Sequence, residues 1–322
     1  MLLKDLAYYK TGGKCDKIHF PTNTDELSAT VKELHRSGTP FFLLGGGTNS
    51  LVMDDHYRGA VICFNSMNRA KVSNEKLSCQ AGCENIEITK LSASHGLEGV
   101  AWMHRLPGQI GGTVRMNARC YGGEISQVVK KITTVSRKGE IIHYEGNTSV
   151  FRGYKDTVFM ANGDIISEVT MQLKKGDKTA IMQQMDFCEK DREGKGQFKY
   201  PTCGCVFKND YRPDVSVPSG LLLQEANVYA LNSPTVEVNP LHANFVYNKG
   251  ASSREILEFT LKMRELVYQT YGVWLEYEME ILGSVPPDLI AALTEQRPSS
   301  PKAAKISPLR QKFLAKTKPS GV

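Results

Sequence analysis

An α+β fold in more than one unit is what this sequence predicts, and three observations predict it. The opening alternates strand, helix and strand. The middle reads as strands joined by tight turns, and the C-terminal third couples one long amphipathic helix to an alternating segment. At 322 residues the chain has room for two or three domains and a sizeable core.

Ile18–Phe20 reads as a short strand. Asn23 and Glu26 then supply an N-cap and an acid at the third helical position, and Leu27, Val31 and Leu34 form an apolar stripe that stops at Gly38. Phe41–Leu44 is a buried-type strand running into Gly45-Gly46-Gly47-Thr48-Asn49, and Ala60–Phe64 is a further strand. A helix is expected over Asn85–Ser94, ending at Gly96. Ile132–Ser136 and Glu140–Tyr144 form a hairpin around Lys138-Gly139. Val158–Ala161 and Ile165–Leu173 form another around Asn162-Gly163, a strong turn dipeptide. In the last third, Ser252 and Glu255 make a capping box for a helix that presents Ile256, Phe259, Met263 and Leu266 and stops at Gly272. From Val273 to Leu282 apolar residues alternate with Glu276, Glu278 and Glu280, the pattern of a strand with one wet or functional face. Beyond Gly283 the chain is rich in Pro, Ser, Ala and Lys. One helical turn at Ile290–Leu293 is expected there; the rest is predicted to be a solvated, disordered end whose removal leaves activity intact.

Composition excludes several classes. With 41% hydrophobic and 23% charged residues, and no apolar run near the roughly 18–20 residues of a membrane helix, no membrane span is expected. The net charge of +6 hints at nucleic acid until it is located. Seven basic residues against only Asp288 and Glu295 follow Gly283, so the globular part is nearly neutral and no nucleic-acid partner is expected. The first ten residues lack an apolar leader segment, and the eight cysteines are scattered. Reduced thiols in a cytoplasmic protein are expected. Cys203-Gly204-Cys205 has no second ligand pair at zinc spacing, so no metal is expected. No Ser/His/Asp arrangement is evident, and His95, His104 and His242 read as structural.

Two glycine-rich stretches carry the chemistry. Consecutive glycines at 45–47 let backbone N–H groups approach a phosphate. The stretch is neither a Walker A loop nor a dinucleotide fingerprint, and alone it reads equally well as a tight turn. The second stretch runs from Leu106 to Ala118 and on through Tyr121-Gly122-Gly123. Two such segments suit an extended ligand that carries a pyrophosphate.

Seven segments in order make the resemblance plain. They are Lys10-Thr11-Gly12-Gly13, Gly45 to Asn49, Pro107 to Asn117, Gly153-Tyr154-Lys155-Asp156-Thr157-Val158-Phe159, Gly204-Cys205-Val206-Phe207-Lys208-Asn209, His242 to Asn248, and Gly272 to Glu278. Together they resemble the UDP-N-acetylenolpyruvoylglucosamine reductase (MurB) family, in the shorter subclass that lacks a tyrosine-bearing insertion. The resemblance implies a two-part FAD-binding domain of the vanillyl-alcohol-oxidase type (1–66 and 67–176), a C-terminal α+β substrate-binding domain (177–283) and the basic tail (284–322). It implies a monomer that takes a hydride from NADPH through FAD to UDP-N-acetylglucosamine enolpyruvate, making UDP-N-acetylmuramate for peptidoglycan.

By the same resemblance, FAD is held by Gly45, Gly46, Gly47, Thr48, Asn49, Pro107, Gly108, Gly111, Gly112, Thr113, Asn117, Tyr121, Gly122, Tyr154 and Arg192. Substrate is held by Asn209 and Lys195. The catalytic positions are Cys205, Lys155 and Glu278. Cys205 stands where the family pattern has serine, and a thiol with a pKa near 8.5 is a far stronger acid than a hydroxyl. Lys155 stands where the pattern has arginine, keeping the charge but not the planar fork. Arg119-Cys120 replaces a usual Gly-Ala. Without the resemblance, Cys205 reads as a small buried thiol, Lys155 as a surface cation and Glu278 as a solvent-facing acid. Two other readings stay open: a flavin oxidoreductase with a different small substrate, and a binding protein that has lost turnover.

Overall fold

The computed structural model describes residues 1–317, with side chains through 315. Of the predicted tail, the Lys316 side chain and residues 318–322 lie outside the described residues. The chain forms two compact units. One comprises Cys15–Thr48 and Tyr57–Gly194; the other comprises Met1–Lys14, Asn49–His56 and the chain from Lys195 onward. The helix Lys178–Gly194, expected to open the C-terminal domain, groups with the first unit.

Two sheets divide the first unit. Strands Cys15–His19, Tyr57–Cys63 and Phe41–Leu44 lie parallel in that order, and helix Thr24–Ser37 is the first crossover. The helix starts where the sequence predicts. Asn23 accepts from the Glu26 N–H at 2.9 Å, and Gly38 ends it at φ 65°, a conformation that costs glycine nothing. The second sheet is antiparallel, in the order Ile141–Glu145, Val129–Val135, Ile165–Gln172, Lys76–Gln80, Ala70–Ser73. Leu27, Val31, Leu77, Ile132, Phe159 and Val169 meet in one core, each at most 1% exposed. Losing any one such side chain to alanine costs about 2–5 kcal/mol.

One expected hairpin does not form. Val158–Asn162 is a short helix, and Gly163 is its left-handed cap at φ 74°. A positive-φ dipeptide serves a helix end as well as a two-residue turn, and here tertiary pairing decides. Ile165–Gln172 pairs instead with Val129–Val135 and Lys76–Gln80.

The second unit is built around helix Ser253–Tyr271, with the Ser252–Glu255 capping box formed and Gly272 at φ 70°. Asp54 fastens the start of this helix to the amino-terminal segment. Its Oδ2 accepts the Ser253 N–H at 2.6 Å and its Oδ1 accepts the Gly12 N–H at 2.8 Å. Two small sheets complete the unit: Ser50–Val52 parallel with Glu280–Leu282, and Val236–Val238 antiparallel with Val246–Asn248.

The alternating segment Val273–Leu282 is not one continuous strand, since only Glu280–Leu282 is regular. The N–H groups of Glu278 and Met279 both donate to the Val206 carbonyl, at 2.8 and 3.1 Å. Two residues thus face one, a bulge that breaks the period of two and re-aims the side chains beyond it.

The tail is also ordered where it is described, against expectation. Pro287–Thr294 and Ala303–Thr317 are helices, and Leu289, Ile306 and Leu309 are buried in the core of the second unit. The proline-rich composition pointed to disorder. Helical spacing of Ile306 and Leu309 supplies a buried stripe that outweighs it.

Candidate functional site

In the first unit the two glycine-rich segments lie side by side. Gly45–Thr48 leaves strand Phe41–Leu44 directly, and Thr48 Oγ1 donates to the Pro107 carbonyl at 3.3 Å. Gly108 sits at φ 113°, where a Cβ would come within 2.5 Å of Thr48 Oγ1. A Cβ on Gly46 would stand 3.5 Å from the Gly108 Cα. At Gly108 only glycine permits both the conformation and the close approach, whereas a Cβ on Gly46 would make ordinary contact. Gly111 packs tightly on Ala81, whereas Gly112, Gly122 and Gly153 would meet nothing within 4 Å. Their backbone faces open space.

Two buried acceptors accompany these backbones. Gln109 Oε1 and Asn117 Oδ1 have no hydrogen-bond partner among the described residues, although Gln109 is 6% and Asn117 1% exposed. The amide nitrogens of both are engaged. Gln109 donates to Asn65 at 3.1 Å, and Asn117 donates to Glu124 at 2.8 Å and to the Gly153 carbonyl at 3.0 Å. A buried acceptor left open costs about 1–3 kcal/mol unless a ligand or water donates to it. These residues fit FAD, whose pyrophosphate needs backbone donors and whose N–H and O–H groups need acceptors. Thr113 bonds Asn85 within the fold, with 3.0 Å from its own hydroxyl.

Tyr121, Arg192, Tyr154 and Lys155 belong to the same unit. Arg192 is buried, donates to Cys120 Sγ at 3.1 Å and lies 5.0 Å from the Tyr121 ring centre. The Tyr121 hydroxyl donates to Asp191 at 2.6 Å, and burial with that carboxylate pushes its pKa well up. Arg119 stacks on Tyr154 at 4.3 Å and stands 4.0 Å from Glu124. Stacking thus accommodates the bulky side chain. Tyr154-Lys155 is the two-residue turn between Phe151–Gly153 and Asp156–Thr157, and Lys155 takes φ 53° there. A lysine in the left-handed region is strained and persists only where its surroundings fix it. Burial raises the Cys120 thiol, with the Arg192 and Lys155 charges acting against that rise.

In the second unit the structure brings Cys205 and Glu278 onto neighbouring backbone segments. Val206, next to Cys205, accepts the N–H of Glu278, and Phe207 bridges to Tyr277. Asn244 holds the other side: its Oδ1 accepts the Phe207 N–H at 3.0 Å and its Nδ2 donates to the Phe207 carbonyl at 2.8 Å. This clamp was not singled out from the sequence. An asparagine inside a seven-segment match was the available signal. Burial pushes up the Cys203 thiol, and the nearby Cys205 and Glu278 add to the rise. Glu276, by contrast, is exposed and pairs with Lys208 at 3.5 Å.

Asn209 accepts the Ser219 N–H at 3.0 Å and donates to Tyr211 at 3.3 Å. Lys195 is exposed, and its carbonyl accepts from Asn239 at 2.8 Å. Asn49, the last residue of the Gly45–Asn49 stretch, groups with this unit and donates to the Glu278 carbonyl at 3.0 Å. His242 stacks on Phe245 at 4.5 Å, and burial together with the Lys195 ammonium lowers its pKa. His104 bonds Thr89, and burial lowers it too. Among the described residues no three His, Cys, Asp or Glu side chains gather as a metal would require. None of the helices described is long and apolar enough to cross a membrane.

Comparison with known proteins finds two family models along the chain. A family model described as "FAD binding domain" matches residues 16–145. A second, "UDP-N-acetylenolpyruvoylglucosamine reductase, C-terminal domain", matches residues 196–282. A UDP-N-acetylenolpyruvoylglucosamine reductase of Streptococcus agalactiae is 36% identical over 282 residues, covering 87% of this chain and 92% of that one. The protein of the same name from Limosilactobacillus fermentum is 33% identical, covering 86% and 92%. A crystal structure of the reductase from Thermus caldophilus superposes with a TM-score of 0.71 at 26% identity, covering 87% of this chain and 97% of that one. The chain belongs to the UDP-N-acetylenolpyruvoylglucosamine reductase family.

Proposed function

We propose that this chain reduces UDP-N-acetylglucosamine enolpyruvate to UDP-N-acetylmuramate, using NADPH, in the cytoplasmic synthesis of peptidoglycan precursors. The observation that carries the reading is the backbone bond from the Glu278 N–H to the carbonyl of Val206, the residue after Cys205, within a segment matched by the reductase C-terminal domain. Bound FAD would supply the hydride, accepted from NADPH and delivered to the vinyl carbon of the enolpyruvyl ether.

The chain's own part is binding and proton transfer. The glycine-rich backbones at Gly45–Gly47 and Gly108–Gly112 would hold the pyrophosphate, and Gln109 and Asn117 would offer the acceptors. Arg192, Tyr121 and Tyr154 wall the same unit with charge and rings. Cys205 Sγ gives its proton to the carbon beside the carboxylate, while Lys155 balances the enolate charge that builds there. Glu278 is the third member of the set and supplies its carboxyl group. Asn209 and Lys195 take the UDP-sugar by hydrogen bond and charge. The protein acts as a monomer, and its FAD-binding part works as two subdomains, 1–66 and 67–176.

The test is spectroscopic. Protein loaded with FAD should show a visible flavin band that NADPH bleaches and that UDP-N-acetylglucosamine enolpyruvate restores. Bleaching without restoration would turn the assignment to another substrate. A protein that takes up no FAD would end it.

A further inference from the structure

We infer that the C-terminal tail is a positioning element for the substrate-binding loop, acting through Arg310. This rests on the proposed reductase reading, because it assigns the loop at Asn209 to the UDP-sugar. The tail lies outside both family matches, the second of which ends at residue 282. The tail nevertheless runs along the segments that carry the proposed site. Ser300 and Lys302 donate backbone N–H groups to the carbonyls of Gly272 and Tyr271, each at 2.8 Å. Ser299 Oγ accepts the Trp274 N–H at 2.9 Å, and Arg297 pairs with Glu265 at 2.8 Å. Ile306 and Leu309 then anchor the last helix in the core.

Arg310 reaches from that anchor to the loop. Its guanidinium lies within 3.0, 2.8 and 3.1 Å of the carbonyls of Pro213, Asp214 and Val215. The loop is closed at its base, where Asn209 Oδ1 takes the Ser219 N–H and Asp210 bridges to Val217. Just before that closing bridge the loop carries strain: Ser216 sits at φ 45°, which an L residue holds only where its neighbours fix it. Three consecutive carbonyls on one planar cation supply that fixation. Lys312 secures the exit, pairing with Glu225 at the end of helix Ser219–Glu225 at 2.5 Å. Base, tip and exit are thus all tied, two of them by the tail.

The test is Arg310→Ala in the FAD-loaded full chain, with Arg310→Lys beside it. Arg310→Ala should raise KM for UDP-N-acetylglucosamine enolpyruvate by about tenfold. The same variant should leave KM for NADPH, kcat and the flavin band nearly unchanged. Arg310→Lys, which reaches fewer carbonyls at once, should fall between. Amide hydrogen exchange over residues 210–217 should accelerate in Arg310→Ala, and this readout stands even if the wild type proves not to turn over that substrate. Unchanged exchange would overturn the inference, as would an unchanged KM for the UDP-sugar in an active enzyme. A parallel fall in kcat, NADPH affinity, flavin content and melting temperature would overturn it too, by showing a merely structural contact.

Discussion

The glycine-rich pair of the first unit and the Cys205–Glu278 pair of the second hold their groups in opposite ways. At Gly108 the site is made by what is missing, since its φ is 113° and a Cβ there would come within 2.5 Å of Thr48 Oγ1. At Cys205 and Glu278 it is made by long-range pairing, with Val206 tied to Asn244 on one side and to the bulge on the other. At Gly108 the first arrangement tolerates no side chain. The second fixes backbone positions and leaves the side chain at 205 free to differ, so the proposed acid there can be a thiol.

That contrast can be broken most forcefully at the acid. Cys205→Ala should lower kcat by about 10²–10⁴-fold while NADPH still bleaches the flavin, and Cys205→Ser should recover part of the loss. An alanine variant with normal turnover would remove the thiol from the reaction. At the other pole, Gly108→Ala should weaken FAD binding at least about tenfold, through both its φ of 113° and the contact with Thr48. Flavin retained through gel filtration reports it. Undiminished retention would show that the close approach is incidental.

Lys155→Arg sharpens the comparison, because it changes chemistry at a strained backbone position without adding a Cβ constraint. A rise in kcat of about threefold is expected from the planar fork, and a fall would show that the turn is shaped for lysine. The smallest effect concerns pH. Burial and Lys195 hold the His242 imidazole below its ordinary value of about 6.5 in the folded state. As pH falls through 6.5 the unfolded chain protonates first, so stability is lost from there down to the folded pKa. Urea midpoints should therefore drop between pH 7.5 and 5.5, and His242→Gln should flatten part of that drop.

What the sequence disclosed follows the range of the interactions. Caps at Asn23, Gly38, Ser252 and Gly272 are settled within four residues, and all four are where the pattern put them. Asn162-Gly163 was legible as a positive-φ site but not as a helix end, because the choice depends on which strands pair. The alternation of Val273–Leu282 concealed a bulge whose partner, Val206, is some seventy residues away. Composition misdirected the reading of the tail, where two well-spaced apolar residues outweigh many polar ones. The pairing of Thr48 with Pro107, and the orphaned oxygens of Gln109 and Asn117, are visible only in three dimensions.

Asp54 has a practical consequence for anyone handling the protein. One carboxylate joins the N–H of Gly12 to that of Ser253, so the opening dozen residues work as a latch on the far end of the polypeptide. Trimming them to tidy an expression product would take away the Gly12 N–H and leave Asp54 held at the start of helix Ser253–Tyr271 alone, with one of its two backbone donors gone. An affinity tag is better accommodated as an added extension than as a replacement for that stretch.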